Sequence, residues 1–277
     1  MASVSAGNIV IENLVYGAFP SQRMGQQVVG KSPGVTSEIE REIVEFCNTW
    51  GDCRNLKFRR SLNQFPLISK FADSREAMAV VKVTNAGKDS IGREGALVRH
   101  ALILAREDYR RLEFNPFMLE SLGVFLTVWT RIADCETIYL ANDKIPPSDL
   151  SEVPQSFHGA LSSYAGTILS GGEVYIYLNN HIHTIEDMIY YLIKILPIDF
   201  KASLALTTFT FKKNLDYKIG CYYRQLSQDV DPLKAHFELS GESRPEIDNY
   251  LKTLFECLKS EKYGRAAKLL AEPSIGF

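Results

Sequence analysis

The chain has 277 residues, which is enough for one large domain or for two of ordinary size. Apolar residues make up 45% and charged residues 23%, a balance typical of a globular protein. The formal net charge is −2, so the charge gives no basis for a nucleic-acid or anionic-membrane partner. The five cysteines form no CxxC pair, and we expect reduced thiols in a cytoplasmic protein.

The first part of the chain predicts a mostly antiparallel sheet with flanking helices. Residues 9–16 alternate as a strand, and residues 26–31 are predicted to return beside it as a hairpin. Thr36 or Ser37 is predicted to cap a helix that runs to about residue 50. Further strands and helical segments are predicted at residues 65–71, 77–84, 95–104, 107–112 and 116–129.

Residues 144–155 contain three prolines and are predicted to be a linker between two parts of the chain. We therefore expect an N-terminal sheet domain over residues 1–143 and a C-terminal unit over residues 156–277. A single globule formed by both parts is the alternative. Either arrangement places the protein in the α+β class.

The C-terminal part predicts a strand, a helix and a second strand in succession. Residues 173–178 and 203–211 are the strands, and the connection between them predicts a parallel pair with a right-handed crossover. Ser156 is predicted to cap the preceding helix, which Gly171 and Gly172 end, and Thr184 to cap the connecting helix to residue 196. Residues 217–223 predict another strand, and residues 247–258 and 263–270 predict terminal helices.

Arg99 and His100 interrupt the apolar stretch that begins at residue 91, and Arg93 lies near its start. Gly92 and Gly95 allow a tight turn around Arg93, and His100 lies within the strand that follows. A buried imidazole or guanidinium requires hydrogen-bond partners. We expect Arg93 and His100 to be structural, with partners at both imidazole nitrogens. A pocket or partner surface lined by both is the alternative.

Residues 25–32 match the P-loop pattern, with Gly25, Gly30, Lys31 and Ser32 at the required positions. A phosphate loop needs a helix that begins at the Lys-Ser pair, so that its N–H groups face the phosphate. Pro33 follows Ser32 directly and disfavours that helical start. We expect no nucleotide at these residues, and a P-loop enzyme is retained as the alternative.

Other motifs for chemistry are incomplete. His181 and His183 could face one metal ion, but no third ligand is evident from the sequence. No Gly-x-Ser-x-Gly elbow and no cysteine-protease motif is present. We therefore expect no catalytic residues, no metal and no cofactor.

Four short motifs follow one another along residues 9–210. They are Val15-Tyr16-Gly17, the segment from Gly25 to Gly34, Gly92-Arg93-x-Gly95-x4-His100-x-Leu102-Ile103, and Leu196-Pro197 with Leu206-Thr-Thr-Phe-Thr210. In this order they resemble the N-terminal domain of bacterial GTPase-associated proteins. The chain departs from the family at Gln26, where a histidine often follows the glycine.

The resemblance implies an interaction or adaptor module in a GTPase-linked conflict or signalling system, with residues 25–32 in a hairpin strand. The implied partner is a small Ras-like GTPase or a complex that contains one. No nucleic-acid or membrane partner is expected. Two alternatives remain open: the P-loop enzyme named above, and a structural subunit of an oligomeric assembly.

Overall fold

The computed structural model describes residues 7–18, 25–47, 67–71, 77–88, 94–126, 134–178, 182–210, 217–223, 237–240 and 244–272. Gly92, Arg93 and His181 therefore lie outside the described residues. The chain divides into two compact units. One comprises Met1–Leu112 and Pro116–Pro146, and the other comprises Glu113–Asn115 and Pro147–Phe277.

The first unit is built on an antiparallel sheet. Its strands are β1 (Ile9–Gly17), β2 (Gln27–Lys31), β3 (Leu67–Phe71), β4 (Ala77–Lys88), β5 (Glu94–Ala105) and β6 (Ile138–Leu140). They lie in the order β3-β4-β5-β1-β2, and β6 pairs with β1 beyond the end of β2. The predicted hairpin of β1 and β2 and the α+β class are confirmed.

Alternation at the start of β1 distinguishes the two faces of the sheet there. Ile9, Ile11 and Val15 are fully buried, whereas Val10 on the other face is 37% exposed. In an antiparallel pair, residues that lie opposite each other project from the same face. His100 lies opposite Val15, so the two share a face of the sheet, and both are buried. At this part of the sheet the other face is covered too, since Leu14 and Arg99 are buried there.

Three helices of the first unit are described: α1 (Ser37–Phe46), α2 (Arg106–Arg111) and α3 (Pro116–Ser121). The Thr36 hydroxyl accepts the Ile39 N–H and caps α1, as predicted. Two predicted helix ends were wrong. Helix α1 ends at Phe46 and not near residue 50, and Cys47 is its C-cap. Helix α3 ends at Ser121, because Gly123 adopts a left-handed conformation with φ of 68°.

The second unit contains β7 (Glu173–Leu178), β8 (Leu206–Thr210), β9 (Ile219–Tyr223) and β10 (Phe237–Ser240) in the order β10-β7-β9-β8. Both β7 and β8 run parallel to β9, so the two predicted strands are parallel, with β9 between them. The helices that the structure describes here are α4 (His158–Leu169), α5 (Ile182–Ile195), α6 (Ile198–Lys201), α7 (Pro245–Lys259) and α8 (Tyr263–Ala271).

Several boundaries of the second unit differ from the prediction. Ser156 does not cap α4, because residues 155–157 form a short 3-10 turn and Phe157 takes the cap position. Helix α5 begins at Ile182, so Thr184 lies inside it. Strand β8 begins at Leu206 rather than at residue 203, and α6 occupies the chain just before it. Strands β6 and β10 were not predicted at all.

Part of the predicted linker packs into the second unit. Leu150 and Val153 are 6% and 7% exposed, and the Lys194 ammonium contacts the Asp149 carbonyl and the Glu152 carboxylate. By contrast, Lys144, Pro146 and Pro147 are exposed. The part of residues 144–155 that remains open to a protease is therefore its beginning.

We predict that brief digestion of the native protein with proteinase K cuts first between residues 144 and 149. Mass spectrometry of the fragments locates the cut. The buried side chains of Leu150 and Val153 should protect residues 150–153. First cleavage within residues 150–153, or resistance of the whole stretch, would contradict the proposed boundary.

Candidate functional site

The P-loop-like residues lie at a sheet edge and not at the start of a helix. Gly30 and Lys31 are in β2, which runs antiparallel to β1. Pro33 and Gly34 then form a turn, and α1 begins only at Ser37. Backbone N–H groups of a helix therefore do not converge at Lys31 and Ser32, as phosphate binding by a P-loop requires.

The two side chains that would hold phosphate and magnesium are already engaged. The Lys31 ammonium lies 2.7 Å from the Glu40 carboxylate on α1. Ser32 is 1% exposed, and its hydroxyl accepts the Asn13 N–H at 2.8 Å and donates to the Glu12 carboxylate. Either side chain would have to leave these contacts before it could bind a nucleotide.

Glu12 is the centre of this hydrogen-bond cluster. Besides the Ser32 hydroxyl, its carboxylate accepts the Gly34 N–H at 3.2 Å and the Thr137 hydroxyl at 3.1 Å. A carboxylate that accepts several hydrogen bonds keeps its negative charge well solvated even when it is partly buried. Glu12 thus joins β1 to the turn at Gly34 and to the segment that leads into β6.

Gly34 is required by the close approach of Glu12. A Cβ atom at residue 34 would lie 2.4 Å from the Glu12 carboxyl carbon, well inside contact distance. Three donors fix that carboxylate, so it cannot move aside without losing hydrogen bonds. The Pro-Gly sequence after Ser32 is therefore part of the cluster around Glu12.

We predict that Gly34→Ala lowers the free energy of unfolding by about 1–2 kcal/mol, because the new methyl group displaces the Glu12 carboxylate from its donors. Urea denaturation of the full chain measures this change. In a Glu12→Ala background the same substitution should cost clearly less. Equal costs in the two backgrounds would show that Gly34 acts independently of Glu12.

His100, in β5, is buried at 2% exposure. Its Nδ1 atom accepts the Leu126 N–H at 3.0 Å, and its ring packs edge-on against Phe125. The Nε2 atom is buried without a hydrogen-bond partner, so one of the two expected partners is found. Because Nδ1 accepts, the neutral ring carries its proton on Nε2. Burial lowers the pKa of His100 to about 4.

This low pKa predicts an acid-dependent loss of stability. Between about pH 6.5 and pH 4 the unfolded chain binds a proton at His100 and the folded chain does not, so stability falls as the pH falls through that window. The loss attributable to His100 is at most about 3 kcal/mol. We predict that His100→Gln removes most of it, as measured by urea denaturation at several pH values.

The control for this prediction is His158→Gln in the second unit. Burial also lowers the pKa of His158, but the Val153 backbone opposes the shift and the side chain is only half-buried. His158→Gln should therefore alter the acid dependence less than His100→Gln. If both variants lose stability in acid as the wild type does, burial of a neutral His100 is not the cause.

Arg99 is a buried cation to which the sequence patterns assigned no role. Its side chain is on the opposite face of β5 from His100, is 3% exposed, and donates from Nε to the Cys47 carbonyl at 3.0 Å. The guanidinium carbon lies 5.5 Å from the centre of the Tyr16 ring, the residue opposite it on β1. Arg99 thus binds the carbonyl of Cys47, the C-cap of α1, and this contact joins β5 to the end of that helix.

Two lysines of the second unit are also buried, Lys194 on α5 and Lys201 on α6, at 5% and 4% exposure. Lys194 binds Glu152 and lies 4.5 Å from the centre of the Tyr190 ring. Burial acts to lower the pKa of Lys194, but hydrogen bonds to Glu152 and Tyr190 outweigh it and raise the pKa. The charge of Lys194 within the largely apolar helix α5 is the feature from which that residue could have been identified.

The remaining candidates do not form a site within the described residues. Gly95 is in β5, while the side chain of His183, in the first turn of α5, is outside what is described. No group of three metal-binding side chains occurs in the described ranges. Within those ranges, every helix is too short or too polar to cross a bilayer.

Comparison with known families finds a match in the N-terminal part of the chain. Residues 11–136 match the sequence model of GTPase-associated protein 1, N-terminal domain type 2. The matched residues run from β1 to the segment before β6 and include Glu12, Ser32 and His100. No curated protein matches the chain significantly. The suspected resemblance to the N-terminal domain of GTPase-associated proteins is thus confirmed for residues 11–136.

Proposed function

We propose that the N-terminal unit is a non-catalytic association module that brings the chain into a complex built around a small Ras-like GTPase. The family match over residues 11–136 carries this proposal, since it describes the N-terminal domain of a GTPase-associated protein. A cytoplasmic, bacterial conflict or signalling system is the setting that we propose for such a complex.

The contacts of the polar residues support an association role over a P-loop enzyme. Lys31 is paired with Glu40, and Ser32 is buried between Asn13 and Glu12. His100 contacts the protein interior. These polar groups stabilise the sheet and its flanking segments. An association module requires no catalytic role from them.

The surface to test first is the exposed end of β1 and β6. Val10 and Tyr139 lie opposite each other, and their exposures are 37% and 66%. Exposed apolar side chains that adjoin each other are more informative than single ones, and tyrosine is common among the residues that dominate interfaces. Tyr139 is therefore the residue whose removal should most affect an association made at this surface.

The experiment is capture of the tagged full chain from its native cell, followed by reconstitution with each purified GTPase that is recovered. We expect a small GTPase to bind directly, and Tyr139→Ala to raise the Kd about tenfold. Lys252→Ala, an exposed substitution on α7, is the control and should leave the Kd unchanged. Absence of direct binding to any recovered GTPase would contradict the proposal.

The same preparation distinguishes the nucleotide-binding alternative. Calorimetry with GTP or ATP and magnesium should give no heat of binding to the chain alone. Binding that Lys31→Ala abolishes would instead favour the P-loop enzyme. Lys31→Ala is read out by nucleotide binding and Tyr139→Ala by GTPase binding, so the two substitutions report on separate hypotheses.

A further inference from the structure

The chain between α2 and α3 contains a strained turn. Glu113 and Phe114 have φ values of 53° and 54°, so two consecutive residues other than glycine adopt the left-handed conformation. Each such residue is strained relative to an ordinary conformation. A turn of this kind persists only where its surroundings hold it.

Burial holds one end of the turn. Phe114 and Asn115 are each 4% exposed, and Pro116 then begins α3. Proline disfavours the helical conformation for the residue before it, so Asn115 cannot simply extend α3 backward. Glu113, by contrast, keeps 38% of its side chain exposed, and its fixed contact is electrostatic.

That contact is with Lys201, which belongs to the same unit as residues 113–115. The Glu113 carboxylate lies 4.0 Å from the Lys201 ammonium. Among the described residues, it is the only carboxylate within this distance of Lys201. Burial lowers the pKa of Lys201 to about 8, while Glu113 acts to raise it and Lys194 to lower it. Glu113 is therefore the group that favours the charged form of Lys201 against the effect of burial.

The other charged groups around Lys201 are committed elsewhere or exposed. Lys194 is bound by Glu152 on the 3-10 turn at residues 150–152. Helix α8 packs against α6, and its basic residues, Arg265 and Lys268, are exposed. On α6 itself, Asp199 is exposed. Glu113 is thus the group whose position should respond to the charge of Lys201.

We propose that Glu113 and Phe114 form a charge-dependent latch, which the Lys201 ammonium holds in the left-handed conformation and which opens when that charge is lost. Among the described residues, no other cation is paired with the Glu113 carboxylate, so with a neutral Lys201 none of them opposes the backbone strain. The turn then exchanges with ordinary right-handed conformations. This device is independent of the association proposed above.

Alkaline pH separates the latch from overall stability. Between about pH 8 and 10.5 the unfolded chain keeps the Lys201 proton while the folded chain loses it, so the contribution of Lys201 makes the folded state more stable as the pH rises. The latch opens over the same range. Local opening with rising global stability is a combination that general unfolding does not produce.

The test is hydrogen exchange of the full chain, with protection of residues 112–115 corrected for the intrinsic exchange rate at each pH. We expect protection of these residues to fall about fivefold between pH 7 and pH 9.5, as for loss of a partly exposed ion pair. Lys201→Met should show the low protection already at pH 7, and a melting temperature at least equal to the wild type. Unchanged protection in Lys201→Met would overturn the latch.

Lys218→Met is the matched control. Lys218 lies 3.9 Å from the Glu173 carboxylate, a similar separation, but both side chains are exposed. This variant should leave protection of residues 112–115 as in the wild type. If Lys201→Met does not fold, Glu113→Gln replaces it, because this substitution is at the exposed end of the pair. Protection in Glu113→Gln equal to the wild type at pH 7 would equally overturn the proposal.

Discussion

The carboxylate of Glu12 is the acceptor on which the edge of the first unit depends. It receives hydroxyl groups from Ser32 and Thr137 and the backbone N–H of Gly34. These donors come from two separate stretches of chain: the turn that follows β2, and a segment 125 residues from Glu12. Since β2 and β6 both border β1, the cluster positions each of them along the same edge. The family match covers the cluster from Glu12 to just before Thr137.

Buried cations impose a second constraint, because each needs partners that compensate its charge. The protein provides different partners for each of the three. Arg99 donates to a backbone carbonyl and stacks on an aromatic ring, which suits a guanidinium that keeps its charge in any environment. Lys194 has a carboxylate, a carbonyl and a tyrosine ring around it. Lys201 has one carboxylate at 4.0 Å. The least compensated of the three cations is therefore Lys201, and its pKa is correspondingly depressed.

Local patterns were sufficient to predict the regular elements. Runs of apolar and branched residues predicted β1, β2 and the long strands β4 and β5, and Thr36 was one of two residues predicted to cap α1. The three residues of β6 were too few to show a period, and their pairing depends on β1, which is distant in sequence. The lengths of α1 and α3 were overestimated because apolar spacing continues past the residues that end each helix.

The candidate site shows why identical letters do not imply identical chemistry. In a P-loop, the glycines and the lysine serve a helix whose first N–H groups surround phosphate. Here the same letters end a strand, and the serine hydroxyl is bonded to Glu12 and Asn13. Pro33 was the local evidence against the helix, whereas Glu12 could not be identified as the partner of Ser32 from sequence spacing. A motif is therefore informative only together with the element in which it lies, and long-range partners decide what its side chains can do.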